Sequence, residues 1–149
     1  MDTAFYDAFL SNYSHILRLF QSAYHQANCT ALACAIDNYL STGTITRVSG
    51  LTAADGFIRI GGTPLIRDGL NSIINRVRNG ASGNHLVIES EEQSGQGHHI
   101  ANLLKIGENV YYVDGFNTRQ PVCTRNIQSQ LSRATIFHYS IGLRVRMSG

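Results

Sequence analysis

The chain has 149 residues, 43% of them hydrophobic, enough to bury one core without disulfides or metal, so a single domain spanning 1–149 is expected. Only 15% of residues are charged, at a formal net +2, and the basic residues are dispersed, Arg144 and Arg146 being the nearest thing to a patch, which argues against a nucleic-acid partner. The acids at Asp2 and Asp7 and the lack of a membrane-length apolar run argue against a secretory signal and a membrane partner.

Phe5, Phe9, Tyr13, Ile16, Leu17, Phe20 and Tyr24 recur at three- and four-residue steps, which predicts one core-packing helix over 4–24. After a break at Gln26-Ala27-Asn28 the helical period resumes over 29–40, with Cys29, Leu32, Ala33, Ile36 and Leu40 on one face and Asn28 as N-cap. Thr42-Gly43 stops this helix. Residues 44–48 are β-branched enough for a short strand, and 49–64, rich in Gly, Ala and Thr, read as loop. Pro64 opens a third helical pattern, with Leu65, Ile66, Leu70, Ile73, Ile74 and Val77 as its apolar set and Asn79-Gly80 as its stop.

From there the period changes to that of strands, predicted over 85–89, 98–106, 109–114, 135–139 and 141–145, with a short helix over 125–132. Residues 91–97 read as a polar, Gly-containing loop. Helices first and strands afterwards predict an α+β fold, with N-terminal helices packed on an antiparallel sheet.

Cys29, Cys34 and Cys123 cannot all pair within the chain, so at least one thiol is free. No Cys-x-x-Cys pair occurs and no histidine stands at zinc-finger spacing from a cysteine, so neither a structural metal nor a cofactor is expected. Cys29 opens its helix, where unpaired backbone N–H groups and the helix dipole favour a thiolate. Such a thiol needs a base, and two adjacent histidines, His98 and His99, begin a strand.

If Gly107-Glu108 is a two-residue turn, Ile106 pairs with Asn109 and Ala101 lies opposite Asp114. His99 then shares a sheet face with Asp114, diagonally across and within side-chain reach, while His98 points away. Asp114 bonded to one ring nitrogen of His99 leaves the other to take the Cys29 proton. Cys34, on a different helical face from Cys29, is expected in the core. Asp37 is read either as a buried acid or as a solvated helix residue, and His25 and His138 as structural or exposed.

Asn28-Cys29, Ala35-Ile36-Asp37, Leu40 and Gly43, followed by Gly97-His98-His99-Ile100-Ala101-Asn102, Gly107 and Tyr112-Val113-Asp114-Gly115, resemble the papain-like toxin domains of bacteria. These include glutamine deamidases among type III effectors and the catalytic domain of the Pasteurella mitogenic toxin type. The resemblance covers roughly residues 26–116; its pattern is Asn-Cys at a helix start, a His-x-x-Asn strand, a Gly turn and a strand ending in Asp. Matching His-x-x-Asn to His99 and Asn102 makes the same choice of histidine as strand parity.

The resemblance implies a papain-like cysteine hydrolase fold and a triad of Cys29, His99 and Asp114 that converts a target-protein glutamine to glutamate. It also implies export or injection by a bacterium, action in the target cell's cytoplasm on a host signalling or ubiquitin-pathway protein, and an immunity or inhibitor protein as a further partner. A cysteine endopeptidase or a transglutaminase at the same site, and an inactive module that binds a host protein, are the alternatives. The chain departs from the pattern where many relatives carry Gln shortly after the aspartate, since Gly115-Phe116-Asn117 stands here. Ala23 occupies the place of the papain oxyanion glutamine, which leaves Gln26 and Asn28, with the Cys29 backbone N–H, as candidates for oxyanion binding or substrate positioning.

Overall fold

The structure, a computed structural model, describes residues 2–22, 29–45, 60–61, 65–93, 97–115, 120–141 and 144–145. The N-terminal aromatic stretch forms two helices rather than one, α1 (Thr3–Ser11) and α2 (Tyr13–Ser22). Asp2 caps α1 by accepting the Phe5 N–H at 3.0 Å. At Asn12 the backbone leaves helical geometry, and the side-chain Nδ2 donates to the Ala8 carbonyl oxygen at 3.1 Å. Asparagine competes in this way for the carbonyls that would continue a helix, so the periodicity survives while the axis breaks.

Helix α3 (Cys29–Thr42) begins at Cys29 and ends before Gly43, whose φ of 75° supplies the left-handed stop. It is buried nearly all round, every residue from Thr30 to Asp37 being shielded from solvent. Phe9, Leu17, Phe20 and Leu40 are among the fully buried side chains around it, each contributing roughly 1.5–3 kcal/mol of hydrophobic burial.

Three expectations for the middle of the chain are corrected. Thr44 and Ile45 belong to no strand, and 46–48 lie outside the described residues. Within 49–64 the described residues form β1 (Ile60–Gly61), not loop; the remainder of that stretch, Pro64 included, lies outside them. The third helix starts at Leu70, not Pro64: Ile66–Arg67 is an edge strand, β2, and α4 runs Leu70–Arg78. Asp68 sets that boundary, accepting the Gly69 N–H at 2.8 Å and the Ser72 hydroxyl at 2.6 Å, which ties the residue before the cap to the first turn of the helix.

The strands that follow are β3 (His85–Glu92), β4 (His98–Ile106), β5 (Asn109–Asp114), β6 (Val122–Thr124), β7 (Ala134–Ser140) and β8 (Arg144–Val145), with the one-turn helix α5 (Ile127–Gln130) before β7. Strand β3 continues into the segment expected as loop, reaching Glu92, whose N–H bonds the Gly97 carbonyl oxygen at 2.9 Å. Short β6 and β2 are additions that the sequence pattern does not predict. The β8 pair is shorter than the strand expected over 141–145, Ile141 standing outside it.

The fold is α+β. Six strands form an open antiparallel sheet in the order β2-β7-β3-β4-β5-β6, and β1 pairs with β8 separately. Helices cover both faces of the larger sheet. Helices α1 to α3 pack with Val87, Ile100, Leu104, Ile106 and Val113; on the opposite face Ile73, Ile74 and Val77 of α4 and Ile127 of α5 pack with Leu86, Ile88, Ala101, Leu103 and Tyr112. Alternate residues of β4 therefore serve two different cores, and the end of this strand is where a helix on one side can meet side chains from the other.

Candidate active site

The β4–β5 hairpin is closed by Gly107, at φ 61°, and Glu108, and pairs Ile106 with Asn109 and Asn102 with Val113. One more step in that register sets Ala101 opposite Asp114, as the two-residue turn requires. Positive φ at Gly107 is inexpensive for glycine and costly for a residue with a Cβ.

His99 and Asp114 meet across the diagonal, with His99 Nε2 2.6 Å from Asp114 Oδ2. This is the short distance of a charge-assisted hydrogen bond, and it makes Nδ1 the ring nitrogen that can face a nucleophile. Asp114 is buried, at 6% exposure, and Tyr112 donates its hydroxyl to the same carboxylate oxygen at 3.4 Å. The His99 side chain keeps 32% of its surface accessible. His98, by contrast, is exposed and approaches Glu91 with Nε2 at 3.5 Å.

Cys29 comes to this pair from the other layer. Asn102, fully buried on β4, donates through Nδ2 to the Ala33 carbonyl oxygen at 2.9 Å and fastens α3 to the strand one turn after Cys29. The half-buried Cys29 thiol hydrogen-bonds the His99 side chain and the Ile100 backbone. Burial by itself pushes this thiol up, but the bonds to His99 and Ile100 and the imidazolium charge outweigh it, so the net direction is down from 9.0. For His99 burial opposes the charge, yet the bonds to Asp114 and Cys29 and their negative charges raise it from 6.5 to about 10. A lowered thiol facing a raised imidazole favours proton transfer from Cys29 to His99, toward the thiolate–imidazolium form in which a cysteine nucleophile is reactive.

The three residues singled out by helix start and strand parity are thus brought together. Gln26 and Asn28, and with Asn28 the expected N-cap, lie outside the described residues, as does His25. Cys34 is fully buried. Asp37 is buried too, near His85 Nε2 at 3.4 Å, which decides between the two readings of this acid. His138 is partly exposed beside Glu89.

A cleft of about 390 Å³ opens on the face of His99 and Asp114, with Ser90 and Tyr112 on its strand side and residues 129–134 as its other wall. Cys29 does not line it; its described surroundings, Leu32, Ile36 and Gly115 among them, are closely packed. Two contributions lie beyond sequence periodicity: Asn102 as the staple between the layers, and the wall supplied by residues 129–134. The His-x-x-Asn spacing draws attention to Asn102, whereas no sequence signal marks the wall.

The arrangement is competent for acyl transfer through a thioester: a nucleophile, a proton carrier in contact with it, and a buried carboxylate fixing the carrier's tautomer. No protein-family model, no curated protein and no solved structure matches the chain.

Proposed function

We propose that this chain is a papain-like cysteine hydrolase that deamidates glutamine side chains of a target protein. The observation that carries the reading is the continuous path from the Cys29 thiol through the His99 ring to the Asp114 carboxylate.

The Cys29 thiolate attacks the carboxamide carbon, and the carbonyl π electrons move to oxygen. As the tetrahedral adduct collapses, the C–N bond breaks and the His99 imidazolium gives its proton to the nitrogen, which leaves as ammonia. Neutral His99 then takes a proton from water, the hydroxide adds to the thioester carbon, and the C–S bond breaks to release glutamate and the thiolate. Asp114 stabilises the imidazolium at each stage and acts through His99 without touching substrate. Choice of glutamine over a peptide bond rests on the resemblance of the Asn28-Cys29 and His99-x-x-Asn102 segments to bacterial deamidases. The same resemblance supports delivery from a bacterium into another cell's cytoplasm and action on a signalling or ubiquitin-pathway protein there.

The test is peptide mapping by mass spectrometry of candidate targets incubated with the chain or with Cys29→Ala. A Cys29-dependent gain of about one dalton on a glutamine, the mark of NH₂ exchanged for OH after thioester hydrolysis, is the expected result. Cysteine-dependent fragments would instead make the enzyme an endopeptidase, and amine incorporation a transglutaminase.

A further inference from the structure

On the sheet face opposite His99, four metal-ligating side chains lie side by side on three adjacent strands. Glu89 and Glu91 alternate along β3; His98 of β4 pairs with Glu91, and His138 of β7 pairs with Glu89. The ligand atoms of Glu89, Glu91 and His98 all fall within 4.8 Å of one another. His98 Nε2 is 3.5 Å from Glu91 Oε1, and His138 Nδ1 is 3.4 Å from Glu89 Oε1.

These separations are too long for good imidazole–carboxylate hydrogen bonds, which close to about 2.7–2.9 Å. The His98–Glu91 separation matches the edge of a tetrahedron: two N or O donors each about 2.0–2.1 Å from a zinc ion stand roughly 3.4 Å apart. His138 Nδ1, shielded from solvent and without a hydrogen bond of good geometry, faces Glu89 Oε1 and flanks the cluster from β7.

We propose that Glu89, Glu91 and His98 bind a divalent transition ion of the zinc class, with His138 bracing Glu89 from behind. Two carboxylates supply the charge that neutralises a dication. The imidazole selects zinc, cobalt or nickel over calcium and magnesium, which favour all-oxygen sites. His98, with 56% of its side chain accessible, provides the entry path. The site escapes a search for cysteine and histidine spacings because two of its ligands are carboxylates and His98 comes from a different strand, adjacent to them only through register.

Its position gives it a role. The rungs that pair Glu91 with His98 and Glu89 with Ile100 flank the rung that pairs Ser90 with His99, so an ion bridging β3 and β4 on one face stiffens the strands that present His99 on the other.

The experiment is a Co²⁺ titration of the Cys29→Ala chain, in which the active-site thiol cannot take the metal, followed by calorimetry and by the visible absorption of tetrahedral cobalt. One equivalent is expected to bind with that absorption, and Glu91→Gln or His98→Gln in the same background is expected to weaken binding roughly 10-fold or more. Both side chains are solvent-accessible, and a circular dichroism spectrum unchanged from the parent shows that neither substitution acts through unfolding. Absence of saturable binding in Cys29→Ala, or equal affinity in the Glu91→Gln, His98→Gln double variant, would overturn the proposal.

Discussion

Asn102 on β4 donates to the carbonyl oxygen of Ala33 on α3 across 69 residues of sequence, joining the helix that presents Cys29 to the strand that presents His99. Removing the donor by Asn102→Ala leaves a cavity and a lost buried bond, costing about 1–3 kcal/mol. Because both halves of the nucleophilic pair lean on this staple, kcat is expected to fall even where the variant is fully folded. The checks are a urea midpoint and a rate taken well below the unfolding transition; a destabilised variant with wild-type kcat would show that the staple holds the fold without positioning the thiol.

The Cys29–His99 pair fixes the pH behaviour. Cys29 is lowered from 9.0 and His99 raised to about 10, so kcat/KM is expected to rise with an acid limb below the ordinary thiol value and to fall near pH 10 as the imidazolium is lost. The profile is taken in EDTA, which removes any ion at Glu91 and His98. Asp114→Asn withdraws the charge that sustains the imidazolium; the alkaline limb then moves down toward 6.5, with a rate loss of roughly 100-fold or more. Tyr112→Phe, whose hydroxyl stands 3.4 Å from Asp114 against 2.6 Å for His99, leaves the limb in place.

The same shifts predict stability. His99, raised in the folded state, contributes fully below 6.5 and loses that contribution as pH climbs through about 10. Cys29, lowered in the folded state, contributes above 9.0 and loses its share as pH falls through the folded value. Urea midpoints for wild type and His99→Gln are therefore expected to converge above pH 10, and an undiminished gap there would contradict the raised imidazole.

The three thiols are expected to differ sharply toward iodoacetamide at neutral pH. Burial, then the charges of Asp37 and Cys29, pushes Cys34 far up, and burial pushes Cys123 up to about 12; among the described residues only Cys29 has an imidazole partner. Peptide mapping of a brief alkylation should find label on Cys29 first, slowed in His99→Ala. Equal labelling of Cys123 would count against an activated Cys29.

The hairpin was the most legible part of the molecule, because a two-residue turn fixes parity and parity separates His99 from His98, in agreement with the His-x-x-Asn spacing to Asn102. The start of α3 was legible for a similar local reason, the end of one periodic run and the beginning of another. Ile66 misled: its apolar character fits the helical spacing with Leu70 and Ile73, yet it is 46% exposed on an edge strand opposite Tyr139. Asp68 overrides the pattern there, and the apolar period does not reveal where such a side chain will bond. Burial of α3 was legible in part: Cys34 is expected in the core and is there, whereas Thr30 and Asp37 stand off the apolar face and show their burial only once α1, α2 and the sheet are in place around them.

Gly115 shows why a small residue follows Asp114. A Cβ at this position would lie 3.0 Å from Ile36 Cδ1 and 3.2 Å from Leu32 Cδ2, so Gly115→Ala must push α3 and the end of β5 apart by a few tenths of an ångström, at a cost of roughly 1–3 kcal/mol. The displaced parts carry Cys29 and Asp114, so activity is expected to fall together with stability. Ile36→Val removes the nearer methyl and alone costs about 0.5–1.5 kcal/mol. Combined with Gly115→Ala it should restore part of the loss, giving a double-mutant cycle in which the pair costs less than the sum of the two singles. Additive costs would mean that the α3–β5 approach is not what this glycine serves.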